Sequence, residues 1–136
     1  MTRHAYVDSS IALYAAGRSS SYRESSRRIM SLAQSGELRL HASVEVIQEF
    51  VFHRIRISDR ELALEEAADL AALITLHDFD REVLGESLRL MRTTSVRGRD
   101  AVHAATALVH GITDIVSPDR VFDDVPGLIR LDPADV

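Results

Sequence analysis

Short apolar stretches alternate with longer amphipathic stretches along this chain, which is the pattern of an α/β fold with a largely parallel sheet. The apolar stretches predict strands over residues 4–7, 38–42, 74–79 and 112–117, with a further short strand over 128–131. The amphipathic stretches predict helices over residues 10–17, 27–36, 44–56, 60–74, 81–93 and 100–111. No linker, repeat or low-complexity segment interrupts this pattern, so we expect a single domain over residues 1–136.

Residues that favour helix ends stand at several of these boundaries. Ser43, Asp59 and Asp80 each precede a helix-length stretch, where a side-chain oxygen can accept a hydrogen bond from a free backbone N–H. Gly36 and Gly111 stand where a helix is expected to end. These local signals support the same division of the chain into helices and strands.

The composition indicates an ordinary globular protein that works in the cytoplasm. The 136 residues are 46% hydrophobic and 27% charged, and they include no cysteine, which excludes disulfides and thiolate metal sites. No apolar run approaches the roughly 18 residues that a membrane span needs, and Asp8 interrupts the region where a signal peptide would have its apolar core. All 16 basic residues are arginine, which excludes any mechanism that requires a lysine, and the net charge of −5 argues against a broad phosphate-binding surface.

Three aspartates stand at positions where an α/β sheet binds ligands. Asp8 follows the first predicted strand and Asp119 follows the fourth, and ligands of such sheets bind beyond the carboxyl ends of the strands. Asp100 opens an alanine-rich helix that can pack closely against the sheet. Two of them also have a purely structural explanation. Asp100 can stabilise a helix N-terminus, and Asp119 follows Pro118 in a turn, where aspartate commonly makes local hydrogen bonds.

A fourth acid is expected from the helix over residues 44–56. Glu45, Glu49 and His53 share its polar strip at a spacing of four residues, opposite a broad apolar arc. The helical wheel does not distinguish Glu45 from Glu49, and the strip can equally be a solvated polar row.

Convergence of these acids would require a cation. Two carboxylates about 4 Å apart repel by roughly 4 kcal/mol at an effective dielectric constant of 20, so three or four at one edge need a cation or shared protons. Ligand sets made only of oxygen suit Mg²⁺ or Mn²⁺. Such a centre serves hydrolysis of a phosphodiester, because the metal neutralises phosphate charge and activates a water.

Four motifs are spread along the chain, namely "YVDSSIAL", "VIQEFVFH", "RDAVHAATAL" and "DIVSPDRVFDDVPGL". They resemble the motifs of PIN-domain ribonucleases and, within that family, of the VapC-type toxins of toxin–antitoxin pairs, so the resemblance runs nearly from end to end. It implies a PIN-like three-layer α/β/α fold with a central, mostly parallel sheet of four to five strands. It also implies a cognate VapB-type antitoxin, a homodimer and a toxin–antitoxin hetero-oligomer.

The resemblance also assigns roles to individual residues. It implies that Asp8, Glu49, Asp100 and Asp119 are the catalytic acids that hold Mg²⁺ or Mn²⁺, and it selects Glu49 over Glu45. Ser9 and Ser117 match supporting positions that orient a carboxylate or a metal-bound water. Asp123 matches an additional acid of some relatives, as a second-metal or outer-shell group. His103, one helical turn after Asp100, is interpreted as a packing or supporting residue, and Arg97 and Arg99 as contacts for the RNA backbone.

The expected activity is hydrolysis of RNA that leaves a 5′-phosphate and a 3′-hydroxyl. Alternatives are a PIN nuclease of RNA processing without an antitoxin, and a non-catalytic metal- or RNA-binding module. A phospho-acceptor receiver domain is excluded because it needs a lysine near the last strand. A haloacid-dehalogenase-like phosphatase needs a second aspartate where this chain has Ser10.

Overall fold

The protein is built on a five-stranded sheet in which every neighbouring pair of strands is parallel. The computed structural model describes residues 2–17 and 19–136, so Met1 and Arg18 of the predicted domain lie outside the described residues. The strands are β1 (Arg3–Val7), β2 (Leu38–Ser43), β3 (Thr75–His77), β4 (Asp114–Val116) and β5 (Ile129–Leu131). Their order across the sheet is β3-β2-β1-β4-β5, so β1 is the central strand.

Within residues 2–17 and 19–136, six helices flank the sheet and confirm the predicted three-layer α/β/α fold. They are α1 (Ser9–Ala15), α2 (Arg23–Ser35), α3 (Val44–Ile57), α4 (Arg60–Leu73), α5 (Arg81–Thr93) and α6 (Gly98–Val109). Short 3₁₀ helices follow at Arg120–Asp124 and Pro133–Asp135. In the part of the chain that the structure describes, none of the helices has the length and apolar character of a membrane span.

The predicted helix caps are confirmed. The side chain of Ser43 accepts a hydrogen bond from the backbone N–H of Glu45, that of Asp59 from Leu62, and that of Asp80 from Val83. These bonds cap the N-termini of α3, α4 and α5. Each bond satisfies a donor that has no partner within the helix. Gly36 ends α2 in the left-handed conformation, with φ of 84°.

The largest boundary difference from the sequence prediction is at α2, which begins at Arg23, four residues before its predicted start, while β3 and β4 are shorter than predicted. Two further differences concern the region of the site. Helix α6 begins at Gly98, two residues before the predicted start, because Gly98 adopts a φ of 57° that turns the chain into the helix. The segment predicted as a loop over residues 118–127 contains the 3₁₀ helix Arg120–Asp124. Both differences lie beside predicted site residues, at Asp100 and Asp119.

The core lies on both sides of β1 and explains why this strand can carry a functional carboxylate. Ala5, Tyr6 and Val7 are buried, and Tyr6 pairs in register with His41 of β2 and with Ile115 of β4. A central strand held by two neighbours gives the residue that follows it a fixed position. In β1 that residue is Asp8.

Candidate active site

Asp8 is fixed by hydroxyl and backbone donors at the carboxyl end of β1. It is the N-cap of α1, and its Oδ1 accepts hydrogen bonds from the Ser10 backbone N–H, at 3.1 Å, and from the Ser10 hydroxyl. Its Oδ2 accepts a hydrogen bond of 2.7 Å from Ser117 Oγ. The carboxylate is buried, so these donors compensate for the water it has lost.

Ser117 connects Asp8 to Asp119. The Ser117 oxygen that donates to Asp8 also accepts a hydrogen bond from the Asp119 backbone N–H, at 3.1 Å. Asp119 in turn caps the following 3₁₀ helix, where its Oδ1 accepts from the Val121 backbone N–H at 3.0 Å. The turn after β4 therefore holds Asp119 beside Asp8, with Ser117 buried between them.

Glu49 reaches the same edge of the sheet from α3. Its Oε2 accepts hydrogen bonds from Ser9 Oγ at 2.7 Å and from Arg99 Nη1 at 3.3 Å, and its Oε1 lies 3.3 Å from His103 Nε2. Glu45, one turn earlier, lies at the start of α3, where its backbone N–H bonds to the Ser43 cap. The structure thus places Glu49 beside Ser9, the residue that follows Asp8.

The electrostatics of Asp100 show that the four acids share one region. Burial raises the pKa of Asp100, and the negative charges of Asp119, Asp8 and Glu49 raise it further, against an opposing effect of His103. Asp100 lies in the first turn of α6, where the Gly98 turn directs the helix N-terminus toward this edge of the sheet. The four acids, which come from four separate segments, are therefore near enough to influence one another electrostatically.

Glu49 responds to its surroundings in the opposite direction. Its burial acts to raise its pKa, but His103, the Ser9 hydroxyl and the Arg99 guanidinium outweigh that effect, and the pKa is lowered. Glu49 is consequently stabilised as a carboxylate, whereas burial and the neighbouring acids oppose the negative charge of Asp100.

The donor chemistry of these residues fits a hard divalent cation. All four side chains offer carboxylate oxygens, and Glu49 Oε1 is buried without a hydrogen-bond partner of good geometry. Across residues 2–17 and 19–136, no three acidic or histidine side chains lie in a ready-made coordination geometry. The fit therefore rests on oxygen donors and uncompensated negative charge.

The other predicted residues lie around this centre. Asp123 Oδ1 accepts a hydrogen bond of 2.9 Å from Arg130 Nε, and Arg130 also donates to the Ser117 carbonyl at 3.0 Å. Asp123 thus pairs with Arg130 of β5, at the rim of the site. Arg97 is exposed just before α6, whereas Arg99 contacts Glu49.

Two contributors to the site were not identified from the sequence. Ser10 binds Asp8 through both its backbone and its hydroxyl, and Tyr6 donates or accepts within a buried contact of 2.7 Å to His103 Nδ1. The signal for Ser10 was its position two residues after an aspartate, which is typical of a capping turn. The signal for Tyr6 was its position two residues before Asp8, because side chains two residues apart in a strand lie on the same face.

Comparisons with known proteins agree with this geometry. A family model described as the PIN domain matches residues 5–128. The chain is 34% identical over 130 residues to ribonuclease VapC13 of Mycobacterium tuberculosis, covering 92% of this chain and 97% of that protein. It is 30% identical over 137 residues to ribonuclease VapC7 of the same organism, covering 93% of this chain and 90% of that protein.

A solved structure shows the same fold at low sequence identity. A chain in the crystal structure of VapBC2 from Rickettsia felis, bound to a DNA fragment from its promoter, aligns with a TM-score of 0.73 at 15% identity, covering 94% of this chain and 97% of that chain. The family match spans nearly all of the sequence, and the VapC relatives are 30% and 34% identical over nearly their whole length. This chain belongs to the PIN-domain family and, within it, to the VapC group.

Proposed function

We propose that this protein is a metal-dependent ribonuclease of the cytoplasm that acts as the toxin of a toxin–antitoxin pair. The observation that carries the proposal is the placement of acids from four segments at the carboxyl edge of the sheet, where Ser117 links Asp8 to Asp119, Ser9 holds Glu49, and Asp100 lies in the first turn of α6. The names of the VapC relatives, which are ribonucleases, support RNA as the substrate.

The four acids would hold Mg²⁺ or Mn²⁺ through their carboxylate oxygens. When bound, the metal neutralises charge on the scissile phosphate and lowers the pKa of a water for attack on phosphorus. Hydrolysis breaks the bond to the 3′ oxygen and leaves a 5′-phosphate and a 3′-hydroxyl. This reaction requires no group that the chain lacks, such as a lysine.

The serines keep the carboxylates in position for this chemistry. Ser10 and Ser117 bind the two oxygens of Asp8, so that carboxylate is oriented before substrate arrives. Ser9 restrains Oε2 of Glu49 and leaves Oε1 facing the interior. A preorganised acid loses little conformational entropy on binding, which favours the reacting geometry.

Arginines beside the site supply the attraction for RNA that the net charge of −5 does not. Arg97 is exposed before α6, and the Arg99 side chain is 69% exposed although it contacts Glu49. Guanidinium groups in this position can bind phosphates on either side of the scissile bond.

The inhibitor of this activity would be a VapB-type antitoxin. Structures with a similar fold include VapBC2 from Rickettsia felis and VapBC from Salmonella typhimurium. A groove of about 630 Å³ lies between helices α1 to α4, and its lining includes Phe50 and Leu70. Phe52, on another face of α3, is 54% exposed and extends the apolar surface available to a partner. A homodimer and a hetero-oligomer with the antitoxin belong to the same proposal.

The test is to express the wild type, Asp8→Asn and Asp78→Asn forms and to sequence 5′-phosphate ends in cellular RNA. Asp78 is a matched control because it is an exposed aspartate that also follows a strand, β3. We expect new ends and slowed growth with the wild type and the control, and neither with Asp8→Asn. Identical ends and growth for all three forms would refute the nuclease assignment.

A further inference from the structure

A buried polar chain connects the core of the sheet to the acidic site. The Tyr6 hydroxyl, in the central strand, lies 2.7 Å from His103 Nδ1, and His103 Nε2 lies 3.3 Å from Glu49 Oε1. Tyr6 is fully buried and His103 is 2% exposed. Burying these two polar side chains costs free energy of desolvation. Apolar side chains could fill the same space without that cost.

One arrangement of the donors along this chain gives the phenol proton to His103. The Ser43 backbone N–H donates to the Tyr6 oxygen at 3.0 Å, and the Thr106 hydroxyl, a further neighbour of that oxygen, donates to the Val102 carbonyl, so Tyr6 donates to His103 Nδ1. A phenol keeps its proton at neutral pH because its ordinary pKa is about 10. A neutral imidazole that accepts at Nδ1 carries its own proton on Nε2. The Nε2–H group then faces Glu49.

The two oxygens of Glu49 are held differently. Oε2 receives Ser9 and Arg99, and Arg99 is largely exposed and therefore weakly restrained. Oε1 is buried and has His103 as its close polar neighbour. Within the restraint that Ser9 places on Oε2, the orientation of Oε1 depends on whether the neighbouring His103 Nε2 bears a proton.

We propose that Tyr6 and His103 are positioning residues: Tyr6 fixes the Nε2–H tautomer of His103, and His103 thereby sets the orientation in which Glu49 meets the divalent cation. This inference rests on the proposed metal-dependent function and extends it to two residues outside the acidic set. Groups that orient metal ligands in this way typically contribute about 10–100-fold in metal affinity or activity.

The alternative is that both side chains only fill space. Two substitutions at residue 103 separate these roles, because leucine matches the bulk of histidine without polar atoms, whereas glutamine offers an amide N–H near the position of Nε2. A packing role ranks His103→Leu equal to or above His103→Gln in every measurement. A positioning role ranks His103→Gln above His103→Leu in metal affinity, whatever their order in stability.

The first experiment observes the tautomer directly. Nitrogen-15 spectra of histidine side chains distinguish protonated Nδ1 from protonated Nε2, without metal or RNA. We expect the Nε2–H form of His103 in the wild type and in Tyr14→Phe, a control that removes the hydroxyl of a tyrosine stacked on Tyr22. Tyr6→Phe should give a mixture of the two forms. An unchanged tautomer in Tyr6→Phe, or the Nδ1–H form in the wild type, would overturn the proposal.

The second experiment measures Mn²⁺ binding by calorimetry, which needs no RNA. We expect the dissociation constant to rise about 10-fold in Tyr6→Phe and by about 10–100-fold in His103→Leu, with a smaller rise in His103→Gln. His53→Gln, on the polar strip of α3, is the matched control and should bind as the wild type does. Equal affinity in His103→Leu and the wild type would refute the positioning role.

The design keeps failure of this inference apart from failure of the proposed function. If the wild type itself binds no Mn²⁺, the metal-dependent function fails and the inference falls with it. If the wild type binds Mn²⁺ and cleaves RNA while all variants at residues 6 and 103 match it, only the inference fails. Denaturation curves show that each variant is folded at the temperature used.

Discussion

The two ends of α6 meet polar clusters of opposite character on the same sheet. At its N-terminal end, Asp100 joins three further carboxylates. At its C-terminal end, the ring of His110 stacks on that of His77 with centroids 4.0 Å apart. His77 Nε2 lies 3.0 Å from His41 Nδ1, and His41 Nε2 lies 2.8 Å from His4 Nδ1. Four acids and four histidines are therefore gathered on one fold.

The clusters differ in how they treat charge. The acidic end retains negative charge that repels itself, since Asp100 has a raised pKa because of burial and its acidic neighbours. The histidine end avoids charge, because burial and the neighbouring rings lower the pKa of His41 to about 4 and lower that of His77 as well. The first arrangement needs a cation to be stable, whereas the second is stable on its own at neutral pH.

Hydrogen bonding explains why the histidine cluster is neutral. His41 uses both ring nitrogens in N···N contacts, so each contact needs one protonated and one free nitrogen. Protonation of two neighbouring rings places N–H against N–H and removes a bond. Arg39 also disfavours a charge on His41, and His77 has a modest opposing influence from Asp78. We therefore assign a functional role to the carboxylates, which repel one another, and a stabilising role to the histidines, whose ring nitrogens have hydrogen-bond partners.

The largest effect is expected from Asp100→Asn. Groups that only support a metal ligand cost about 10–100-fold when lost, so loss of a ligand should lower RNA cleavage by more than about 100-fold. The free energy of unfolding without metal should rise at pH 7, because the raised pKa of Asp100 means that the folded state disfavours its charge. Cleavage assays and urea denaturation check the two parts.

Asp114→Asn is the control for Asp100→Asn, since Asp114 begins β4 away from the acids. It should change cleavage little. If Asp100→Asn lost activity and stability together, the acidic end would be a structural cluster, and the contrast between the two ends of α6 would fail.

The next effect is a loss of stability in acid that arises at the histidine end. His41 is 8% exposed, and its folded pKa is about 4 against 6.5 when unfolded. The unfolded state therefore binds more protons between these values. Stability from this residue is complete above pH 6.5 and is lost as the pH falls toward 4, by about 3 kcal/mol at most.

Urea denaturation at pH 7.5, 6, 5 and 4.5 measures this loss, with His41→Gln as the test variant. The variant should show a flatter dependence on pH, and His53→Gln should follow the wild type. Parallel curves for His41→Gln and the wild type would assign the acid sensitivity to other groups.

The sequence was sufficient for the fold because the relevant signals are local. Ser43, Asp59 and Asp80 mark helix starts through bonds to residues two or three positions away. The strands and their parallel direction follow from the alternation of apolar and amphipathic stretches. The early start of α6 was missed because it depends on the backbone conformation of Gly98, which the apolar pattern does not reveal.

The side-chain clusters were harder to predict because they depend on sheet register. His4, His41 and His77 lie 36 or 37 positions apart from one to the next, and pairing of β1, β2 and β3 brings them together. The choice of Glu49 over Glu45 came from the family resemblance. In the structure that choice corresponds to the contact with Ser9, which the helical wheel could not show.

A paired substitution on α3 tests which acid belongs to the functional end. Glu49→Gln keeps the shape and removes the charge that faces Arg99 and His103, and we expect cleavage to fall by more than about 100-fold, as for loss of another ligand. Glu45→Gln changes the same residue type one turn away and should remain within about twofold of the wild type. Equal losses in the two variants would mean that α3 contributes a general negative field. Multiple-turnover kinetics with a labelled RNA distinguish these results.

The smallest effect is a change in stability when Mg²⁺ is added. A cation at the acidic end relieves repulsion in the folded state only, so the free energy of unfolding should rise by about 1.4 kcal/mol at ten times the dissociation constant. His41 is neutral at pH 7.5 because burial and the neighbouring rings lower its pKa to about 4, so His41→Gln should show the same increment. Asp8→Asn should show little or none. Thermal denaturation with Mg²⁺, and with NaCl at matched ionic strength to remove general screening, measures the increment. An equal increment in Asp8→Asn would place the cation away from the four acids and remove the physical reason for their convergence.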